Sequence, residues 1–342
     1  MISWTRRLLP LTQICYNAAM RQCSSVNVVS EMKEILRIAS TGDLKTALSR
    51  HEAFRETNDV PDWGVVKLSS VLLANGLEHE SERLLKQHYE ETGGIHRFAR
   101  KSVIQEEQVV AALLRVINCT NGDGLERAHR LYRWLLEGRF CSNKDVFIVL
   151  FVERALQRNG IAAAVAELEQ LKKLGRVKSL TRTFHCLLHS AMDHGKEEEL
   201  AKVENTILTT SPSALQNLKR FVSLELGKNA AFVESLGQDP CLESSQLRFI
   251  VELAAKLKKV VVLESLIELS RLLQFRPQDK AMIYDELVKI YGKHEDKDNL
   301  ERIAEFVLRE SEREHFAATL GRLAHFYRCC HLELPNRLLR AL

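Results

Sequence analysis

Aromatic side chains, glycine and proline are all scarce in this sequence. Phe, Tyr and Trp together make up 6% of the 342 residues, beside 15 glycines and 6 prolines. Strand-rich folds draw on aromatics and on Gly/Pro turns, so the composition leaves little for strands or long loops and points to helix. Long apolar runs are missing too. No stretch approaches the 18 or more residues that would cross a bilayer, and no membrane insertion is expected. The eight cysteines (Cys15, Cys23, Cys119, Cys141, Cys186, Cys241, Cys329, Cys330) form no Cys-x-x-Cys pair and read as reduced, buried apolar residues. Cys329 and Cys330, with His325 and His331 close by, lack the two spaced pairs of a zinc site, because adjacent residues on a helix point about 100° apart. His185 and His189, one turn apart with His194 beyond, are discounted as ligands in the same way. There is no glycine-rich phosphate loop, no Gly-x-Ser-x-Gly elbow, no His-Glu-x-x-His and no kinase signature. The expectation is a non-enzyme with no catalytic residues, no metal, no cofactor and no small-molecule substrate.

What is present is a hairpin. From Thr183 to Gly195, Phe184, Leu187, Leu188 and Ala191 recur on one face of a helix, and Gly195 stands where a helix commonly ends in a left-handed residue. A second helix starts in the acidic run Glu197–Glu199, suited to the positive end of a helix dipole, and continues through Glu204. Such a hairpin exposes too much apolar surface to stand alone and has to stack on copies of itself. Turn glycines mark the copies. Gly42 to Gly76 is 34 residues, Gly124 to Gly160 is 36, Gly160 to Gly195 is 35 and Gly195 to Gly227 is 32. Gly76 to Gly124, at 48, exceeds one period by about 13, and an insertion near 92–104, holding Gly93 and Gly94, accounts for it. A period of 34–36 residues made of two helices specifies an all-α solenoid of stacked hairpins, of the tetratricopeptide or pentatricopeptide kind.

Individual hairpins follow from apolar spacing. Gln105–Asn118 carries Val109, Val110, Leu113, Leu114 and Ile117 on a broad face, and its partner, Leu125–Gly138, steps Arg127, Arg130 and Arg133 along one side. Asp145–Asn159 pairs with Ala162–Leu174, Ser213–Leu226 with Ala230–Leu236, and Ser245–Lys258 with Val261–Leu273. Asp279–Lys293 then pairs with Asn299–Arg309, and Glu314–Cys329 with a short helix from Pro335 to Leu342 that lacks a polar capping helix, so this end is expected to pair with another chain. Pro240 and Pro277 fall between units.

Residues 1–30 carry Arg6, Arg7 and Arg21 and no acid. That is the composition of a mitochondrial import sequence, assigned to residues 1–24 with the solenoid over 25–342 and a matrix location. A secretory signal with Leu8–Met20 as its core, which would give the Asn118-Cys119-Thr120 sequon a meaning, and a docked first helix are the other readings of the same residues.

Thr183-Phe184-His185-Cys186-Leu187-Leu188 through Gly195, and Ile283-Tyr284-Asp285-Glu286-Leu287-Val288-Lys289-Ile290-Tyr291-Gly292-Lys293, resemble the first helix of a pentatricopeptide repeat. Ala128-x-x-Leu131-Tyr132 resembles its second helix. Among such proteins the sequence is similar to the animal mitochondrial leucine-rich pentatricopeptide-repeat type. The resemblance implies binding of single-stranded organelle RNA, alongside a small RNA-recognition-motif protein or another solenoid chain. It also implies base contact through one residue per unit, carried here by His185 and Asp285; the same position in Asp145–Gly160 is Leu150. Asparagine, serine or threonine is usual there, so the base-reading pattern is mostly absent. Arg182, three residues before His185, is placed for phosphate contact or stacking.

Net charge is +4, or +1 once Arg6, Arg7 and Arg21 are removed, where nucleic-acid binders often carry a strong basic excess. Local clusters exist at Arg97-Phe98-Ala99-Arg100-Lys101, at Lys172-Lys173 with Arg176 and Lys178, and at Lys256, Lys258 and Lys259. Two functions are therefore expected as alternatives. One is a mitochondrial RNA-binding repeat protein acting in transcript stability, processing or translation. The other is a non-enzymatic scaffold whose repeats grip a protein partner such as a ribosome or an assembly factor.

Overall fold

A computed structural model describes residues 27–91, 104–119, 123–237, 242–270, 272–310, 313–329 and 334–340. The expected import sequence, most of the insertion, and Cys15, Cys23, Cys241, Cys330 and His331 lie outside the described residues. Within them the protein is all helix, in hairpins that pack on their neighbours, as a helical-repeat solenoid requires. No helix among them is long and apolar enough to cross a membrane.

The helices are α1 (27–40), α2 (Leu44–Thr57), α3 (Asp62–Ala74), α4 (Glu78–Glu91), α5 (Glu106–Ile117), α6 (Gly124–Glu137), α7 (Asp145–Lys172), α8 (Thr181–His194) and α9 (Glu197–Thr210). They continue as α10 (Pro212–Glu225), α11 (Asn229–Glu234), α12 (Ser244–Leu257), α13 (Val260–Leu269), α14 (Pro277–Lys293), α15 (Lys297–Arg309), α16 (Ala317–Cys329, after a 3-10 turn at Arg313–Phe316) and α17 (Asn336–Leu339). Their contacts divide the chain into two compact units between Thr183 and Phe184, inside α8.

In the first unit α3 is buried almost all round, as a helix apolar on every side must be, because α4, α5 and α6 all pack on it. Met32 of α1 lies against Gly64 of α3, so closely that a Cβ there would fall 2.5 Å from Met32 Cγ. The α5 face is rotated from the expected one. Val109, Ala112, Leu113, Val116 and Ile117 are buried while Leu114 is 37% exposed. Helices α3, α6 and α7 all pack on α5, and the buried stripe takes in small Ala112, which a count of large residues alone leaves out. Helix α7 is two helices merged across Gly160 (φ 79°, ψ −173°), a conformation that only glycine adopts without strain, so the expected hairpin break at that residue is present.

Gly195 corrects an expectation. It does not take a left-handed conformation; it is needed because a Cβ would lie 2.6 Å from the Ala191 carbonyl oxygen and 2.8 Å from Ala191 Cα. In the second unit α10, α12, α14 and α16, the first helices of successive hairpins, pack side by side, with α11, α13 and α15 against them. Pro212 and Pro277 open α10 and α14 at a first-turn position, where a missing N–H costs nothing.

Polar bonds between successive hairpins keep the repeat period. Lys144 to Glu106 spans 38 residues, Thr183 to Asp145 38, Lys228 to the Met192 carbonyl 36, Ser244 to Asp279 35, Arg302 to Glu264 38 and Arg322 to Asp285 37. Across residues 92–103 the span lengthens, to 45 for Arg115 to Ser70 and 49 for Arg127 to Glu78.

Candidate nucleic-acid interface

From Gln170 to Met192 the sequence has no acid and holds Lys172, Lys173, Arg176, Lys178 and Arg182. Five cations in eleven residues exceed the net charge of the whole chain. They sit at the α7–α8 connector, in the first unit. Lys173, Arg176 and Lys178 are exposed and Arg182 is half-buried. Lys172 is bonded to Glu169 at 3.0 Å, whereas the other four have no ion-pair partner among the described residues.

A buried network holds the connector in place. Tyr132 donates to Asn143 Oδ1 at 2.8 Å, and Asn143 Nδ2 donates to the carbonyls of Leu171 and Gly175, both at 3.0 Å. Burial pushes the Tyr132 phenol and the Cys141 thiol up, the latter to about 12, so both stay protonated at neutral pH. At the far side of the connector the Asp145 carboxylate accepts from the N–H of Arg182 (2.7 Å), the N–H of Thr183 (3.0 Å) and the Thr183 hydroxyl (2.7 Å). The start of α8 is therefore capped by a residue of the preceding hairpin, which satisfies N–H groups that a helix leaves open.

Of the residues singled out from sequence, Arg182 belongs to this connector. His185 and Asp285 do not. His185 is buried in the second unit, its Nε2 2.6 Å from Glu225 Oε2 and its ring edge-on to Phe221 at 5.3 Å. Glu225 also meets Lys259 at 2.6 Å, with His189 at 3.8 Å. Burial works to raise the Glu225 pKa, but the bonds from His185 and Lys259 outweigh it and hold the group down at about 2. Asp285 accepts from Arg322 Nε at 2.6 Å and meets Lys289 at 3.0 Å. Each therefore bonds the first helix of the next hairpin. Leu150 is half-buried on α7.

The Tyr132–Asn143 anchor was missed from sequence, since nothing in the pattern around Asn143 distinguishes it from an ordinary turn residue. Asp145 was read only as a helix start. Arg127 and Arg130, seen as a stripe, both bond Glu78 of α4, at 2.9 and 2.7 Å. No cluster of three or more His, Cys, Asp or Glu suited to a metal occurs among the described residues. Compared with known proteins, the chain matches no protein-family model and no curated protein.

Proposed function

We propose that this protein is a non-enzymatic helical-repeat RNA-binding protein that grips single-stranded RNA by its phosphates. One observation carries the reading: four cations without acidic partners among the described residues stand on a connector that a buried network holds in place. A rigid basic edge binds phosphate without the entropy loss of ordering a loop, and phosphate contact is indifferent to base. Because His185 and Asp285 are engaged inside the protein, recognition is by backbone and shape, not by a per-repeat code. The acid-free, arginine-bearing residues 1–30 support a place in the mitochondrial matrix, with a role in the stability, processing or translation of organelle transcripts.

Titration of a labelled single-stranded RNA with the full chain at two or more salt concentrations tests the proposal. Four phosphate contacts give a slope of log K against log salt near −3, at about 0.7 per contact. Replacing Lys173, Arg176 and Lys178 by glutamate should abolish binding while leaving the circular dichroism spectrum unchanged. Absence of binding at low salt would refute the reading. A second reading, a protein-binding scaffold, is favoured by a different surface.

A further inference from the structure

In the second unit α13 packs on α10 and α14, and α15 packs on α14 and α16. Between α13 and α15, over α14, lies a cleft of about 530 Å³, within the range of ligand and peptide pockets. Ile267, Leu287, Ile303 and Phe306 give it apolar walls and floor. Its charged groups are largely paired with one another: Arg302 with Glu264, which also accepts from Tyr291 at 2.6 Å, and Lys280 with Glu310 at 3.1 Å. Arg309 is bonded to Glu305 at 3.1 Å. Glu268, exposed and one turn beyond Glu264 on α13, has no ion-pair partner among the described residues. Val261 and Leu272, each 55% exposed, lie on either side of it along the chain.

The first unit repeats this construction. Glu78 and Glu82, again four apart on the second helix of a hairpin, line a smaller cleft of about 250 Å³ with Arg130 and Trp134 of the next hairpin. Arg130 bonds Glu78 as Arg302 bonds Glu264. In this smaller copy the second glutamate is closed off by Lys86, at 2.9 Å. The position that Lys86 neutralises in one cleft has no ion-pair partner among the described residues in the other.

We infer that the α13–α15 cleft is the docking groove for an amphipathic helix of a partner protein, one that seats aliphatic side chains on the cleft floor and sets a basic residue against Glu268. An apolar floor edged by paired charges, with one carboxylate at its lip that has no ion-pair partner among the described residues, fits a cation carried beside aliphatic groups, and exposed Val261 and Leu272 stand before and after that carboxylate in the chain as further apolar surface. A polyanion is disfavoured, because the cations of this cleft are already engaged. None of its residues belongs to the basic connector, and it stands or falls without RNA.

The test uses a fluorescein-labelled amphipathic helical peptide with leucines along one face and a single arginine at its edge, and the same peptide with glutamate in place of that arginine. The full chain should bind the arginine peptide about fivefold more tightly, the size expected for a rim charge changed from attraction to repulsion. Glu268→Arg should reverse the order of the two peptides, and Leu272→Asp should weaken both, with thermal unfolding unchanged in either variant. An order of affinities that Glu268→Arg leaves as it was overturns the inference. Displacement of the peptide by single-stranded RNA overturns it in favour of nucleic acid. Concentration-dependent sedimentation abolished by Leu272→Asp, without peptide binding, overturns it in favour of a second copy of this chain.

Discussion

Asn143 uses its side-chain amide for one task, joining Tyr132 to the carbonyls of Leu171, in the last turn of α7, and Gly175, just beyond it. Asn143→Ala removes the acceptor of the buried Tyr132 hydroxyl and one donor from each of two carbonyls, and should cost about 3 kcal/mol in urea unfolding. Tyr132→Phe alone should cost less, and the double variant less than the sum of the singles, since both remove the same bond. His51 behaves differently. It is 1% exposed, both ring nitrogens lack a hydrogen-bond partner among the described residues, and burial, with Arg55 and His88 adding to it, pushes its pKa down to about 4. The folded chain keeps it neutral while the unfolded chain takes up a proton below about 6.5, so stability is complete above that pH. It falls as the pH drops towards 4, by up to about 3 kcal/mol. A series of urea melts from pH 7 to pH 4 should show that slope, and His51→Leu should flatten it. Acid stability that His51→Leu leaves as steep as before would remove His51 as the cause. Neither role was legible in the sequence. A buried histidine and a surface one read alike, and an asparagine between two helices looks like any turn.

The elements were far more legible, because helical spacing and turn glycines are local properties. Asp145–Lys172 broken at Gly160, and α12 and α14 with their partners, agree with the sequence reading within a few residues. The face each helix buries was read less well, since neighbours decide it. In α5 the sequence places Leu113 and Leu114 together on the apolar side, yet only Leu113 is buried. Leu113→Ala should therefore cost about 2–5 kcal/mol and Leu114→Ala less than about 1 kcal/mol. Equal losses in a thermal melt would mean that α5 is turned the other way. The two turn glycines give a further contrast. Gly160→Ala has open space but an unfavourable backbone, whereas Gly195→Ala has an ordinary backbone but meets Ala191. Each should lower stability by about 1–3 kcal/mol. Only at 195 should a compensating change of backbone position be visible in hydrogen exchange of the preceding turn. The candidate interface was half legible: the cations at 172–182 are plain in the sequence, while the anchoring of their connector depends on a residue 28 and 32 positions from the groups it bonds.

For the whole molecule, stability is a sum over hairpins and the joints between neighbours. Damage should therefore stay local. In Leu113→Ala, hydrogen exchange should quicken in α3 and α5–α7, the helices that touch the site, and remain as in the parent chain from α10 onward. Uniform acceleration along the chain would show a single cooperative block and count against the repeat description. Charge works on the same scale. With a net +4, no long-range field steers RNA to this protein, so its association rate should respond less to salt than its affinity does.

The inter-hairpin bonds that span 35–40 residues bear on how the chain is made. Among the described residues each hairpin meets its polar partners within roughly one further hairpin of synthesis. Folding can thus begin near the start of the chain and advance behind the ribosome, one docking step at a time, which is the fast regime for contacts close in sequence. By the same logic, excising one whole hairpin should leave a shorter protein that still assembles, while excising half of one should not.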